Sequence, residues 1–209
     1  MPSKPLIVLG TGNRKKGREL AELFALLPIE FKTLADFPEA ESVVESGDTF
    51  AANAVLKAVE QGRRLARWVL GEDSGLMVDA LDGAPGVFSA RYSGGDATDH
   101  SNNRRLLDEL AGVPAEKRTA RFVCHMAISD PAGSVCAQSE GRCRGRILFE
   151  PQGAGGFGYD PLFEIVEHHR SFAQLGPLVK SILSHRARAA GQLVPLLLAL
   201  VDSGRLGGR

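Results

Sequence analysis

Thr11-Gly12-Asn13-Arg14-Lys15-Lys16 stands between a strand-like run, Leu6-Ile7-Val8-Leu9, and a helix-like one. Backbone N–H groups at a helix start lack intrahelical partners, and the helix dipole favours an anion there. Glycine permits close approach, and Arg14 and Lys16 add full charges, so the segment suits a phosphate. The basic residues also oppose the dipole, which leaves a capped helix with a solvated first turn as the plainer alternative. The segment is not a Walker loop, because GxxxxGK[ST] is absent. A second group, Glu72-Asp73-Ser74-Gly75, closes the apolar run Trp68-Val69-Leu70. A carboxylate outside the carboxyl end of a strand can hold Mg²⁺ or take a proton from water. Asp-Ser-Gly is equally good turn chemistry. Glu45 is a second acid that a hard cation would use, since such ions want several oxygen ligands. Spacing alone does not say whether it approaches Asp73.

Two further groups lie towards the C-terminus. Gly155-Gly156-Phe157-Gly158-Tyr159-Asp160-Pro161 combines three glycines with two aromatic rings on which a base can stack, and Asp160 accepts hydrogen bonds. A hairpin-like loop with buried rings is the alternative. Lys180-Ser181-Ile182-Leu183-Ser184-His185-Arg186 concentrates donors near a helix, or forms a solvated helix start. Ser184 and His185 are not a catalytic pair, because adjacent helical side chains do not face each other. No GxSxG and no HExxH occurs, so serine hydrolysis and zinc catalysis have little support.

The elements that must position these groups follow from periodicity. Leu20, Leu23, Phe24 and Leu27 share a helix face that Pro28 ends. Glu30 to Leu34 suits a second strand. Thr33 to Leu56 contains no basic residue, and Thr49 or Asp48 caps a helix with the small face Ala51, Ala54, Val55, Ala58 and Val59. Leu76 to Leu81 is expected to be extended. A helix from Thr98 or Asp99 carries Leu106, Leu107 and Leu110. Ala120 to Ser129 and Val135 to Phe149 predict a hairpin across Asp130-Pro131-Ala132-Gly133. Pro161 to Val166 predicts a strand. A last helix is expected from about Leu178 to Val201, kinked at Gly191 and Pro195. Early alternation of helix and strand with a hairpin in the middle predicts an α/β fold on a mixed β-sheet flanked by helices.

Composition narrows the class. The 209 residues include 25 Lys plus Arg and 25 Asp plus Glu, so the net charge is zero, which disfavours a nucleic-acid binder that works by neutralising phosphates. The apolar run Leu193 to Val201 is too short to span a bilayer. Met1 to Pro5 leads directly into a strand with no signal-peptide pattern. The three cysteines, Cys124, Cys136 and Cys143, have no CxxC spacing and fit reduced thiols in a cytoplasmic protein, each as an apolar filler.

The motifs TGNxxK, EDSGL, GAPGVFSARYSG, GGFGYDPLF and K-x3-SHR occur in this order. Together they resemble the inosine triphosphatase family and its bacterial dITP/XTP pyrophosphatases, from about Leu6 to Val201. The resemblance implies one nucleoside-triphosphate pyrophosphatase domain over residues 1–209, with an elongated sheet and two lobes around an active-site cleft, assembled as a homodimer. It implies a Mg²⁺-dependent hydrolase that takes ITP, dITP and XTP to the monophosphate and pyrophosphate, with Mg²⁺-activated water attacking the α phosphorus. Thr11, Gly12, Asn13, Arg14, Lys15 and Lys16 correspond to the triphosphate segment. Asp73 corresponds to the proton acceptor and a magnesium ligand, and Glu45 to the second acidic ligand. Ser74, Phe157, Gly158, Tyr159, Asp160, Lys180, His185 and Arg186 correspond to substrate and base contacts. Val44 stands where the family often has another acid, and Glu72 where many members have Asp. Alternatives of another kind are a Maf-type pyrophosphatase and a non-catalytic nucleotide-sensing module.

Overall fold

Leu6–Leu9 forms strand β1, and helix α1 follows over Arg14–Leu23. The computed structural model describes residues 4–206; Met1 to Ser3, the start of the stretch without a signal-peptide pattern, lie outside them. The remaining elements are β2 (Glu30–Thr33), α2 (Phe50–Leu65), β3 (Trp68–Val78), α3 (Asp99–Glu109), β4 (Thr119–Ser129), β5 (Val135–Ile147), β6 (Phe163–Ile165), β7 (Arg170–Ser171), α4 (Phe172–Leu183) and α5 (His185–Asp202). The strands order as β2-β1-β3-β4-β5-β6-β7. β1 runs parallel to β2 and β3, whereas β6 is antiparallel to β5 and β7, which makes the sheet mixed, as the alternation of elements predicts. β4 and β5 are neighbours across the predicted turn, closed by the Asp130 N–H donating to the Ser134 carbonyl at 3.0 Å.

The chain divides into two compact units. One holds the chain up to Asp73, Cys124–Gly141 and the chain from Arg188 on. The other holds Ser74–Val123 and Arg142–Ala187. In the first, Ile7, Leu9, Leu20, Phe24, Leu70, Met126 and Ile128 pack with Leu193, Leu197 and Leu200 of α5. In the second, Leu76, Val78, Leu106, Leu110 and Phe122 pack with Phe163 and Phe172, whose rings stack at 5.6 Å. Removing apolar side chains of this size from water contributes about 1.5–3 kcal/mol each. No helix among the described residues is long and apolar enough to cross a membrane.

Three departures from the sequence reading bear on function. First, Glu72-Asp73-Ser74-Gly75 is not a turn. β3 continues through it for eleven residues, so Asp73 lies inside a strand rather than beyond its carboxyl end. Second, the final helix is two helices, and it breaks at Ser184 rather than at Gly191 or Pro195, both of which lie within α5. Ser184 has extended backbone, and its Oγ accepts the Ala187 N–H at 3.2 Å, which is the geometry of a helix N-cap. Within α4, Gly176 leaves helical geometry at φ 80° just before Pro177. Third, α1 closes at Leu23, short of Pro28: Phe24 leaves helical geometry at φ −103° and ψ 5°, and a turn follows, with the Leu27 N–H donating to the Phe24 carbonyl.

Candidate active site

The first cluster forms where α1 and α2 meet β3. Asn13 caps α1: its Oδ1 accepts the Lys15 and Lys16 N–H groups at 3.0 and 3.2 Å, and its own N–H donates to Thr11 Oγ1 at 3.2 Å. The first turn of α1 contains no acid that would satisfy its dipole, and Gly12 to Lys15 are exposed. A cap that orders the loop beneath a basic, accessible helix start is suited to an anion. Lys16 folds back from this turn, and its Nζ lies 3.1 Å from Oε2 of Glu72, which is fully buried. Cys124 donates its thiol to the other oxygen of Glu72 at 3.4 Å, so this cysteine does more than fill space.

Helix α2 supplies the rest of the cluster. Gly71 allows it to sit directly on β3: a Cβ there would lie 2.1 Å from the Ala54 carbonyl oxygen and 2.6 Å from the Ala58 nitrogen. With the helix seated on its alanine face, Asn53 and Lys57, one turn apart, reach Asp73. Asn53 Nδ2 donates to Asp73 Oδ2 at 3.2 Å, and Lys57 Nζ donates to Oδ1 at 3.0 Å. The same ammonium meets Glu45 Oε1 at 2.8 Å and the Glu72 carbonyl at 3.2 Å. Glu45 therefore does approach Asp73, through a shared cation. The Gly47 N–H donates to Asn53 Oδ1 at 2.8 Å and ties the acid-bearing loop to the helix. Burial pushes the Asp73 carboxyl above the ordinary carboxylate pKa, against the pull of Lys57 and Lys16. Burial also works against the charge on Lys57, but Asp73, Glu45 and Glu72 together hold its pKa above the ordinary lysine value.

Whether this cluster suits a metal depends on its donors. Among the described residues no group of three or more His, Cys, Asp or Glu side chains is arranged to hold an ion. Glu45 Oε1 and Asp73 Oδ1 nevertheless converge on one cationic atom, at 2.8 and 3.0 Å. Two carboxylate oxygens fit Mg²⁺, which is bound through one or two carboxylates plus substrate phosphates and keeps several waters.

The second cluster belongs to the other unit. The loop at Phe157–Asp160 is folded around Asp160. A Cβ on Gly156, at φ 75°, would lie 2.1 Å from Asp160 Oδ2, the atom that accepts the Phe157 N–H at 2.8 Å and pairs with Lys180 Nζ at 2.5 Å. Lys180 also stands 4.2 Å from the centre of the Phe157 ring. Tyr159 is fixed by its hydroxyl, which donates to the Ser89 carbonyl at 2.8 Å, and Gly158 by Asn103 Nδ2, which donates to its carbonyl at 3.0 Å. The GAPGVFSARYSG segment thus anchors the loop through Ser89. His185 and Arg186 begin α5 but are not solvated; both are buried. The His185 ring stacks on Phe122 at 4.7 Å, and Arg186 Nη2 donates to Ser74 Oγ at 2.9 Å.

The model of the Ham1 family matches residues 7–196. The chain belongs to the Ham1 family. It is 54% identical over 200 residues to a dITP/XTP pyrophosphatase of Rhodopirellula baltica, covering 94% of this chain and 95% of the relative. A dITP/XTP pyrophosphatase of Geobacillus kaustophilus is 52% identical, over 90% of this chain and 91% of the relative. Among solved structures, a HAM1 protein from Coxiella burnetii superposes with a TM-score of 0.85 at 36% identity, covering 93% of this chain and 99% of that one. The nucleoside-triphosphatase / dITP/XTP pyrophosphatase of Mycobacterium abscessus gives 0.74 at 40% identity, covering 91% and 99%.

In this Ham1 protein Asn53 and Lys57 are the members of the Asp73 cluster that sequence reasoning missed. A signal was present. Lys57 is the first basic residue after the acid-bearing stretch from Thr33 to Leu56, and Asn53, Lys57 and Gln61 form a polar stripe at four-residue spacing beside the alanine face. The close seat at Gly71 gives a direct test. Gly71→Ala forces α2 away from β3, because the obstructing atoms are backbone. It should destabilise the protein by about 1–3 kcal/mol or more and lower turnover by moving Asn53 and Lys57 away from Asp73. A variant with unchanged melting temperature and kcat would show that Gly71 does not set this contact.

Proposed function

We propose that the protein hydrolyses non-standard purine nucleoside triphosphates, ITP, dITP and XTP, to the monophosphate and pyrophosphate. The observation that carries this reading is the cluster of Asp73, Glu45, Lys16 and Lys57 where α1 and α2 meet β3, in a chain 54% identical to a dITP/XTP pyrophosphatase. A triphosphate is highly charged, so its hydrolysis depends mainly on positioning and charge neutralisation. The N-terminus of α1, with Thr11 to Lys16, binds the phosphates. Asp73 takes the proton of the water that attacks the α phosphorus. Glu45 and Asp73 are the residues that would hold Mg²⁺, which when bound supplies charge neutralisation on the phosphate oxygens. The Phe157–Asp160 loop, Ser74, Lys180, His185 and Arg186 contact the base and its neighbouring groups. Because Lys180 is paired with Asp160, its first effect is on loop geometry.

The identity of the metal as Mg²⁺, a homodimeric state and a cytoplasmic location belong to the same proposal and rest on the family resemblance. Neither the Maf-type pyrophosphatase nor the non-catalytic sensor gains a supporting observation. The test is a panel of nucleoside triphosphates with Mg²⁺, assayed for products. ITP and XTP should give monophosphate plus pyrophosphate, and chelation should abolish the reaction. Orthophosphate as the primary product would overturn attack at the α phosphorus.

A further inference from the structure

Lys57 holds an ammonium in the middle of the acidic cluster. Its ammonium has three donors, and three oxygens take them: Glu45 Oε1 at 2.8 Å, Asp73 Oδ1 at 3.0 Å and the Glu72 carbonyl at 3.2 Å. Its side chain is only 11% exposed, and Asn53 fixes the far oxygen of Asp73. The two carboxylate oxygens that suit a divalent cation are thus already gathered around a cation belonging to the chain. An ammonium and a metal ion cannot share that point, because like charges at about 3–4 Å in a poorly screened setting repel strongly. Nor can Lys57 simply be absent, since two part-buried carboxylates without a counter-charge are costly.

We propose that Lys57 is a resident counter-ion that exchanges with the divalent metal. In the nucleotide-free protein it holds Glu45 and Asp73 together and opposes metal entry. When metal arrives with a triphosphate, the ammonium leaves the carboxylates and finds its new partner on the phosphate oxygens. Metal binding is thereby coupled to nucleotide binding, because only the nucleotide offers the displaced charge a place to go. This inference rests on the proposed metal reading of Glu45 and Asp73. Lys16 provides the comparison: its contact is Glu72 Oε2 at 3.1 Å, outside the pair of oxygens that Lys57 bridges.

The experiment measures Mg²⁺ affinity of the nucleotide-free protein by calorimetry, for wild type, Lys57→Met and Lys16→Met. Methionine keeps the length of the side chain and removes its charge. Lys57→Met should bind Mg²⁺ at least tenfold more tightly than wild type, and its melting temperature should rise more on adding Mg²⁺. Lys16→Met should change affinity much less. If Lys57→Met proves too unstable to purify free of metal, Lys57→Gln carries the same expectation. Unchanged affinity in the Lys57 variant, or an equal gain in both variants, overturns the exchange, even where chelation still abolishes hydrolysis by wild type. A wild-type protein that binds no Mg²⁺ beside an uncleavable ITP analogue and hydrolyses ITP in the presence of chelator overturns the metal reading, and the exchange with it.

Discussion

Asp73→Asn should lower kcat for ITP by roughly 10²–10⁴-fold, the loss typical of a missing general base, while the fold survives. Asn is nearly isosteric, and its carbonyl oxygen can still accept from Lys57. It cannot take a proton, and it brings no charge to a metal. Its amide nitrogen faces the Asn53 amide, which now donates to Asp73 Oδ2 at 3.2 Å, so one contact becomes donor against donor. The stability cost is limited by the sign of the pKa shift. Burial holds the folded-state pKa of Asp73 above its unfolded value. The folded protein therefore binds this proton more tightly, and the stability linked to it is present below the unfolded pKa and lost as pH rises through the folded one. At neutral pH the charged carboxylate is already disfavoured by burial, so a neutral amide removes that cost as it removes the pairing with Lys57. Circular dichroism melts check the fold, and pyrophosphate release checks turnover. Near wild-type kcat in the folded variant would remove Asp73 as the base.

The second large effect concerns base choice. Inosine and xanthine carry an oxygen at purine position 6, where adenine carries an amino group. Arg186 can only donate hydrogen bonds, and His185 beside it is a further donor. Directed at position 6, they gain hydrogen bonds from the oxygen, that of Arg186 charge-assisted, and meet an opposing donor in adenine. A buried polar site of that kind can reject the wrong partner by roughly 10⁴–10⁵. The burial it requires is present, since Arg186 is 1% and His185 4% exposed, and Ser74 and Phe122 hold them from the side. Arg186→Ala should therefore collapse the ITP to ATP ratio of kcat/KM by at least about tenfold, more than it harms binding of inorganic triphosphate. Loss of a buried guanidinium also lowers the melting temperature, but a ratio between two substrates on the same folded variant is insensitive to that. An unchanged ratio would assign the discrimination to other residues. Rejection of GTP needs a device against its 2-amino group. The Phe157–Asp160 loop, held rigid through Asp160, Ser89 and Asn103, is the candidate wall.

What the sequence by itself determined was local or motif-borne. The strand, glycine turn and capped basic helix at Leu6–Leu23 were legible because capping and apolar periodicity act within a few residues. The β4–β5 hairpin was legible from its turn residues, and the mixed sheet from the alternation of elements. The family followed from five motifs in order. Three things only the tertiary structure decided. Asp73 sits inside β3 because the strand is paired and buried on both sides of it, which overrides the turn preference of Asp-Ser-Gly. Ser184 begins a new helix because its hydroxyl caps Ala187, and that break, not Gly191 or Pro195, places His185 and Arg186 in a buried first turn. Lys57 meets Asp73 across 16 residues, and Glu45 enters the same cluster from a loop, because α2 seats on β3 where Gly71 has no Cβ. Sequence spacing carries helix faces and caps, which are short-range. It does not carry which helix face lands on which strand position, because that is set by steric fit between backbones distant in the chain.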